Sequence, residues 1–462
     1  MSDDHAAHAV SAYGSRINHT PNLDRLAEEG MRFDSVFCTN SICTPSRAAI
    51  LTGTYNHVNG ATTLDTHLDN RLWTFPKALQ AAGYATGMFG KWHLGHGPAH
   101  DPTGFDEWRV LPGQGHYYNP VMLQPGPDPV VERGGYVTDL ITDDCIDFIS
   151  RASARGDRPF AVLCHHKAPH RTWEPSPDHF TMYDDVDIRE PDTFRDDLAG
   201  RAEVIQAVRM RMMDLDPIID LRSPVPAGLS EDEEISWRYQ RYIKNYLRVV
   251  ASIDDNVGRM LDYLDANGLA ENTIVVYTSD QGFFLGDHGW FDKRLMYEES
   301  LRMPFLVRYP AAIAPGAVNA DIVVNVDFAP TFLELAGVEV PEDVQGRSFV
   351  SLLRGETPAD WPTSMYYRYW MHNDSSHGCP AHYGVRTKTH KLICYYNDPL
   401  GQDGAHGPAS AVEWELFDLV NDAMELRNIY DDPAVQPVRD GLLDELRRLQ
   451  AALGDEPFIS QR

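Results

Sequence analysis

Within five residues, Cys43-Thr44-Pro45-Ser46-Arg47 assembles a thiol, two hydroxyls and a guanidinium. The next residues, Ala48-Ala49-Ile50-Leu51-Thr52-Gly53, read as an apolar helical turn closed by glycine, so Cys43 falls where a helix begins. Helix N-termini carry unpaired N–H groups and partial positive charge, and they attract anions. Arg47, one turn on, can project its guanidinium back to the same point and add fixed charge suited to a tetrahedral oxyanion. The other reading of such a cysteine is an inert buried thiol beside a helix start. Taken alone, the run leaves both open.

The elements around it set the frame. Thr20 as N-cap, Pro21 at the first helical position and Gly30 past the last turn bracket a helix whose Leu23, Leu26 and Ala27 share one face. Ala85 to Phe89, Pro159 to Cys164, Thr273 to Thr278 and Phe305 to Arg308 read as strands, and their alternation with helical patterns predicts an α/β fold with a large doubly wound, mostly parallel sheet flanked by helices. Chemistry-bearing residues follow three of these strands: Lys91 and His93 after the first, His165, His166 and His170 after the second, Asp280 and Gln281 after the third. Ligands of open α/β sheets bind beyond the carboxyl ends of strands, so these clusters are expected to converge on one crevice. Arg189 to Trp237 reads as a charged, proline-punctuated insertion leading into a helix from about Trp237 to Leu264. Residues 1–345 are expected to form the catalytic domain and 346–462 a smaller C-terminal subdomain. The latter has antiparallel strands around Gly384–Thr387, Lys391–Tyr395 and Trp414–Leu419, then an amphipathic helix with Val435, Val438, Leu442, Leu446, Leu449 and Leu453 on one face.

The run from Thr20 through Gly53, Gly90-Lys91-Trp92-His93-Leu94-Gly95, the Thr278–Pro304 segment with Lys293, and the C-terminal pattern together resemble formylglycine-dependent sulfatases of the alkaline phosphatase superfamily, in particular bacterial members acting on sulfated sugars such as N-acetylglucosamine 6-sulfate. The resemblance covers nearly the whole chain. It implies that Cys43 is oxidised to formylglycine by a formylglycine-generating enzyme, the maturation partner. A hydrated aldehyde offers one hydroxyl as nucleophile and a second whose deprotonation expels sulfate, an exit that serine lacks.

By the same resemblance, the metal site falls on Asp3, Asp4, Asp280 and Gln281 with the modified Cys43, and the catalytic groups are Cys43, Arg47, Lys91, His93, His170 and Lys293. The hard oxygen donors suit Ca²⁺, with Mg²⁺ as the alternative, and do not suit zinc. Lys91 and Lys293 are expected on sulfate oxygens, His93 as base for the elimination, and His170 on the leaving oxygen, with His166 as runner-up and His165 packed under the strand end. His288 is either a partner of the metal residues or a structural histidine. Candidate sugar contacts are His166, Gln114, His116, Tyr117, Tyr118, His372, His377, His382 and Arg386, with Trp173 and Trp370 able to stack on a ring.

Composition narrows the substrate. A net charge of -28 on 462 residues disfavours nucleic acid and long polyanions, although a Debye length of about 8 Å leaves room for a locally basic pocket. A small sulfated substrate is expected. No apolar run approaches the roughly 20 residues that span a bilayer, so no membrane partner is expected, and the six cysteines lack the spacing of a metal site or a disulfide framework. As written, the chain reads as cytoplasmic. Relatives carry an apolar strand before the paired aspartates, whereas this sequence begins Met1-Ser2-Asp3-Asp4; the expectation is a truncated start, a looser hold on the two aspartates, and a periplasmic or secreted location if an export signal preceded it.

Three rival functions are an arylsulfatase, a phosphonate or phosphate ester hydrolase using the same modified cysteine, and an inactive sulfatase-like binding module. A phosphate monoester dianion asks for more positive charge than a sulfate monoanion. The catalytic group types at Arg47, Lys91, His93 and Lys293 weigh against a module that only binds.

Overall fold

The computed structural model describes residues 1–455. Its large layer is a mixed arrangement built from two sheets. One carries parallel strands Glu107–Leu111, Ala85–Lys91 and Phe160–His165, extended at its far edge by two antiparallel strands. The other places Met31–Phe33 between Ala317–Asn319, its parallel neighbour, and the antiparallel Phe305–Arg308, which in turn pairs antiparallel with Val275–Thr278. The antiparallel run of Phe305–Arg308 departs from the mostly parallel expectation. The strand itself is where the sequence put it; its direction follows from the connection 279–304, which folds back beside Val275–Thr278 without a helical crossover.

Met1 to Asp3 join the two sheets. The Met1 amino group donates to Cys164 O at 2.7 Å and His166 N to Met1 O at 2.9 Å, while on the other side Ser2 N donates to Thr278 O at 2.9 Å. Ser2 also bridges Ser279 in parallel register. The aspartates that follow are held by Asp3 N to Ala168 O, Asp4 N to Asp280 Oδ1 and Tyr246 OH to Asp4 O. The looser hold expected for Asp3 and Asp4 is therefore not what is seen, because side chains and loop carbonyls fix them.

Helices pack on this layer as their patterns demand. Pro21–Glu28 buries Leu23 and Leu26, and Glu231–Ala266, a 36-residue helix, begins at a Ser230–Glu233 capping box and buries Tyr239, Tyr242, Ile243 and Tyr246. Four antiparallel strands, Ser364–Tyr369, His382–Thr387, His390–Tyr395 and Glu413–Asp418, make the C-terminal sheet; the sequence pattern showed the last three. Gln436–Leu453 closes against it through Leu442 and Leu446, with Val438 left exposed.

Candidate active site

Cys43 is the first residue of the Cys43–Thr52 helix, and that helix is buried along its whole length. Burial pushes the Cys43 thiol up to about 12, against the pull of Lys293 and Lys91. An unmodified Cys43 is thus a thiol and not a thiolate at neutral pH, which is poor ground for an ordinary cysteine nucleophile. Arg47 reaches Asp280 Oδ2 through Nε at 3.0 Å and donates from its NH1 to Lys91 O at 2.7 Å, tying the helix to the turns after two strands.

Around this helix start converge three carboxylates from two distant parts of the chain, its first turn and the bend after Val275–Thr278. One oxygen each of Asp3, Asp4 and Asp280 lie within 4.8 Å of one another, and Asp3, Cys43 and His170 form a second group within the same reach. Burial, reinforced by the neighbouring carboxylates, raises Asp4 to about 7 and Asp280 to about 6 despite the opposing pull of Lys293 and Arg47. Asp3 moves the other way: burial would raise it, yet the charges of Lys91 and Arg47 hold it well below the usual range. Lys91 Nζ donates to Asp3 Oδ2 and to Gln114 Oε1, while Lys293 Nζ lies 2.6 Å from both oxygens of Asp4. Lys293 is held charged by Asp4 in spite of its burial.

The donor set fits a hard divalent cation. Among the described residues, Asp3 Oδ1, 3.6 Å from Arg47 NH2, and Gln281 Oε1 are buried without a hydrogen-bond partner, and like-charged carboxylates facing each other at this spacing call for positive charge between them. Gln281 donates from its amide nitrogen to Asp4 Oδ1, which leaves its own Oε1 available to a cation.

Two histidines complete the centre. His170 lies with Nε2 3.7 Å from Asp4 Oδ2, and its Nδ1 meets Arg171 O at 2.8 Å. That carbonyl has no proton to give, so Nδ1 carries one and the neutral ring leaves Nε2 bare. Tyr117 OH fixes the backbone by donating to His170 O, and burial keeps the ring neutral. His93 sits at φ 57° beside Thr44, half-buried, with burial and Lys91 holding its pKa well down.

Other candidates fall elsewhere. His166 turns back to Cys164 Sγ at 3.5 Å, His165 is buried, and His116 is exposed with no partner in the cluster. His382 is fully buried between the rings of Tyr367 and Tyr369 with Nδ1 on Pro380 O. Arg386 pairs with Glu298 at 2.9 Å and stacks on Phe37. Trp173 is wholly buried against Tyr242, and Arg368 lies over the Trp370 ring at 3.5 Å. Apart from exposed His116, these side chains are engaged by neighbouring protein groups: Trp173, Trp370 and His382 by rings or a guanidinium, His166 by a thiol, Arg386 by a carboxylate. His288 is held between Asp196, 2.8 Å from its Nδ1, and Glu299.

One group escaped the sequence reading. Asp292 and Arg294 flank Lys293 at φ 73° and 93°, both buried, and are braced by His377 and Asp374. Arg294 Nε has no hydrogen-bond acceptor. A signal was available: Asp292-Lys293-Arg294 interrupts an otherwise apolar Trp290–Met296 run, and three consecutive charges in such a setting are seldom solvated.

The sulfatase family model matches residues 1–338, and the model described as the C-terminal part of N-sulphoglucosamine sulphohydrolase matches residues 286–452. An N-acetylglucosamine-6-O-sulfatase of Bacteroides thetaiotaomicron is 41% identical over 93% of this chain and 81% of its own length. An ulvan-active sulfatase of Formosa agariphila is 26% identical over 99% of this chain and 81% of its own. A solved structure described as bound to its substrate D-glucosamine-2-N,6-O-disulfate superposes with a TM-score of 0.92 at 40% identity, covering 99% of this chain and 97% of the other. A phosphonate monoester hydrolase from Silicibacter pomeroyi, at 23% identity and TM-score 0.75 over 98% and 94% of the two chains, shares the fold. With a family model spanning residues 1–338 and a relative this similar, the chain belongs to the sulfatase family.

Proposed function

We propose that this sulfatase removes sulfate from O6 of a small glucosamine derivative, using position 43 as nucleophile. The observation that carries this reading is the 41% identity over 93% of the chain to an N-acetylglucosamine-6-O-sulfatase, in a protein whose Cys43, Arg47, Lys91, Lys293 and His170 meet at one buried point. A formylglycine at position 43 supplies, when hydrated, a nucleophilic hydroxyl and a second hydroxyl whose deprotonation releases sulfate. A divalent cation on Asp3, Asp4, Asp280 and Gln281 supplies Lewis-acid charge beside it.

The chain's own residues do the rest. Arg47 holds Asp280 and the Lys91 carbonyl, so the helix start and the carboxylates keep one geometry. Lys91 and Lys293, anchored on Asp3 and Asp4, present ammonium charge to the sulfate oxygens, and such fixed charge stabilises a transition state without reorganisation. His170 Nε2 takes up a proton as the substrate's negative charge enters and passes it to the leaving oxygen. Asp292 and Arg294, whose Nε lies 3.4 Å from Asp292 Oδ1, bind sugar hydroxyls.

The test is sulfate release by protein co-expressed with a formylglycine-generating enzyme, offered N-acetylglucosamine 6-sulfate, the 3-sulfate and an aryl sulfate. Release from the 6-sulfate at least about tenfold faster than from the others, abolished by Cys43→Ala, is the expected result. An aryl sulfate turned over best would overturn the substrate assignment.

A further inference from the structure

Thr44 and His93 are 49 residues apart in sequence and touch twice. The Thr44 hydroxyl lies 2.8 Å from His93 O and 3.3 Å from His93 Nδ1. A hydroxyl has one proton, and a backbone carbonyl has none, so the proton of Thr44 goes to the nearer contact, His93 O. The contact to Nδ1 is then favourable only if Nδ1 brings its own proton to a Thr44 lone pair. A neutral imidazole with its proton on Nδ1 has a bare Nε2.

We infer that Thr44 is a positioning residue that fixes His93 as the Nδ1–H tautomer and so leaves Nε2 as a proton acceptor at the catalytic centre. The same two bonds pin a residue whose backbone, at φ 57°, lies in the left-handed region that a non-glycine residue enters only under strain. Thr44 itself is 1% exposed, so its hydroxyl is shielded from bulk water even though the His93 ring is half-buried. The charged groups felt by the ring are Lys91, Asp3, Arg47 and Lys293, those of the centre described above, and the described residues give Nε2 no hydrogen-bond partner of its own. Thr44 adjoins the nucleophile position, so a single helix turn presents the nucleophile and sets the protonation of the histidine expected to act on it. The role of His93 as base rests on the function proposed above; the tautomer does not.

The experiment separates the two. Protein labelled with ¹⁵N-histidine, in its unmodified Cys43 form, is read by two-bond ¹H–¹⁵N correlation, with the His93 signals identified by their loss in His93→Gln. A pyridine-like Nε2 and pyrrole-like Nδ1 are expected in wild type and in Thr44→Ser, and a mixed or reversed pattern in Thr44→Val. In the matured enzyme, Thr44→Val lowers kcat by about tenfold or more with KM little changed, and Thr44→Ser restores it. A proton on Nε2 in wild type overturns the inference whether or not the valine variant folds, and so does an unchanged tautomer in Thr44→Val. If the tautomer is as stated but the wild-type protein releases no sulfate, the functional proposal has failed and the positioning role stands.

Discussion

Two clusters of buried charge in this molecule are built in opposite ways. At the junction with the C-terminal sheet, Lys391, fully buried, sits between Glu298 at 2.9 Å and Glu425 at 2.6 Å, and Arg386 closes on the other oxygen of Glu298. Cations and anions interleave, and the cluster functions as a fastener between the 279–304 connection and the C-terminal sheet. At the proposed catalytic centre, Lys91, Lys293 and Arg47 each pair with one of Asp3, Asp4 and Asp280, yet the three carboxylates still crowd to within 4.8 Å of one another. The cations stand around the trio and not between its members, and Gln281 Oε1 beside it has no hydrogen-bond donor among the described residues. The lesson is that burial alone does not mark a functional charge; crowding of like charges does.

The comparison can be broken at either end. The largest effect is expected from Asp280→Asn, which loosens Arg47 and weakens the carboxylate trio: sulfate release should fall by about 10³-fold or more, measured as kcat/KM, with the circular dichroism spectrum unchanged. Lys391→Met should do the reverse, costing about 3–5 kcal/mol in denaturant-melt stability by stranding Glu425 and leaving Glu298 to Arg386 alone, while kcat/KM per folded molecule stays within about threefold. A variant that loses activity as steeply as Asp280→Asn would show that the junction is not merely a fastener.

A smaller effect is expected from pH. Burial lowers His382, in the C-terminal sheet, to about 4. Its folded pKa lies below the unfolded value near 6.5, so the unfolded chain binds more protons between the two, and the stability it contributes is intact above about 6.5 and is lost as pH falls toward 4. At pH 5 the loss is about 2 kcal/mol from this residue. Thermal melts of His382→Phe should show a flatter decline between pH 6.5 and 5 than wild type; an identical slope would remove His382 from the account.

Much of this was legible in the chain. The helix opening at Cys43, the strands before Lys91, His165 and Asp280, and the long helix ending at Ala266 all follow from local pattern, because each is fixed by residues close together in sequence. The Asp292–Arg294 brace, the twin bonds of Thr44 and the burial of Trp173 and His382 are set by partners dozens to hundreds of residues away, and no periodicity records them. The sheet direction at Phe305–Arg308 was lost for a related reason: the pattern of an apolar strand is the same whichever way it runs.

Residues 279–304, which connect two neighbouring antiparallel strands, are buried along nearly their whole course and carry Asp280, Gln281, Asp292, Lys293 and Arg294. In this enzyme the usual division between a rigid scaffold and tolerant surface loops does not hold at that connection. Randomising it to change substrate preference would sample misfolded proteins before it sampled new specificities. In the neighbouring 371–381 loop, Asp374 and His377 brace that connection, while the exposed Asn373, Ser375 and Ser376, the serines clasped by Arg209 through their carbonyls alone, leave room for selection to alter preference.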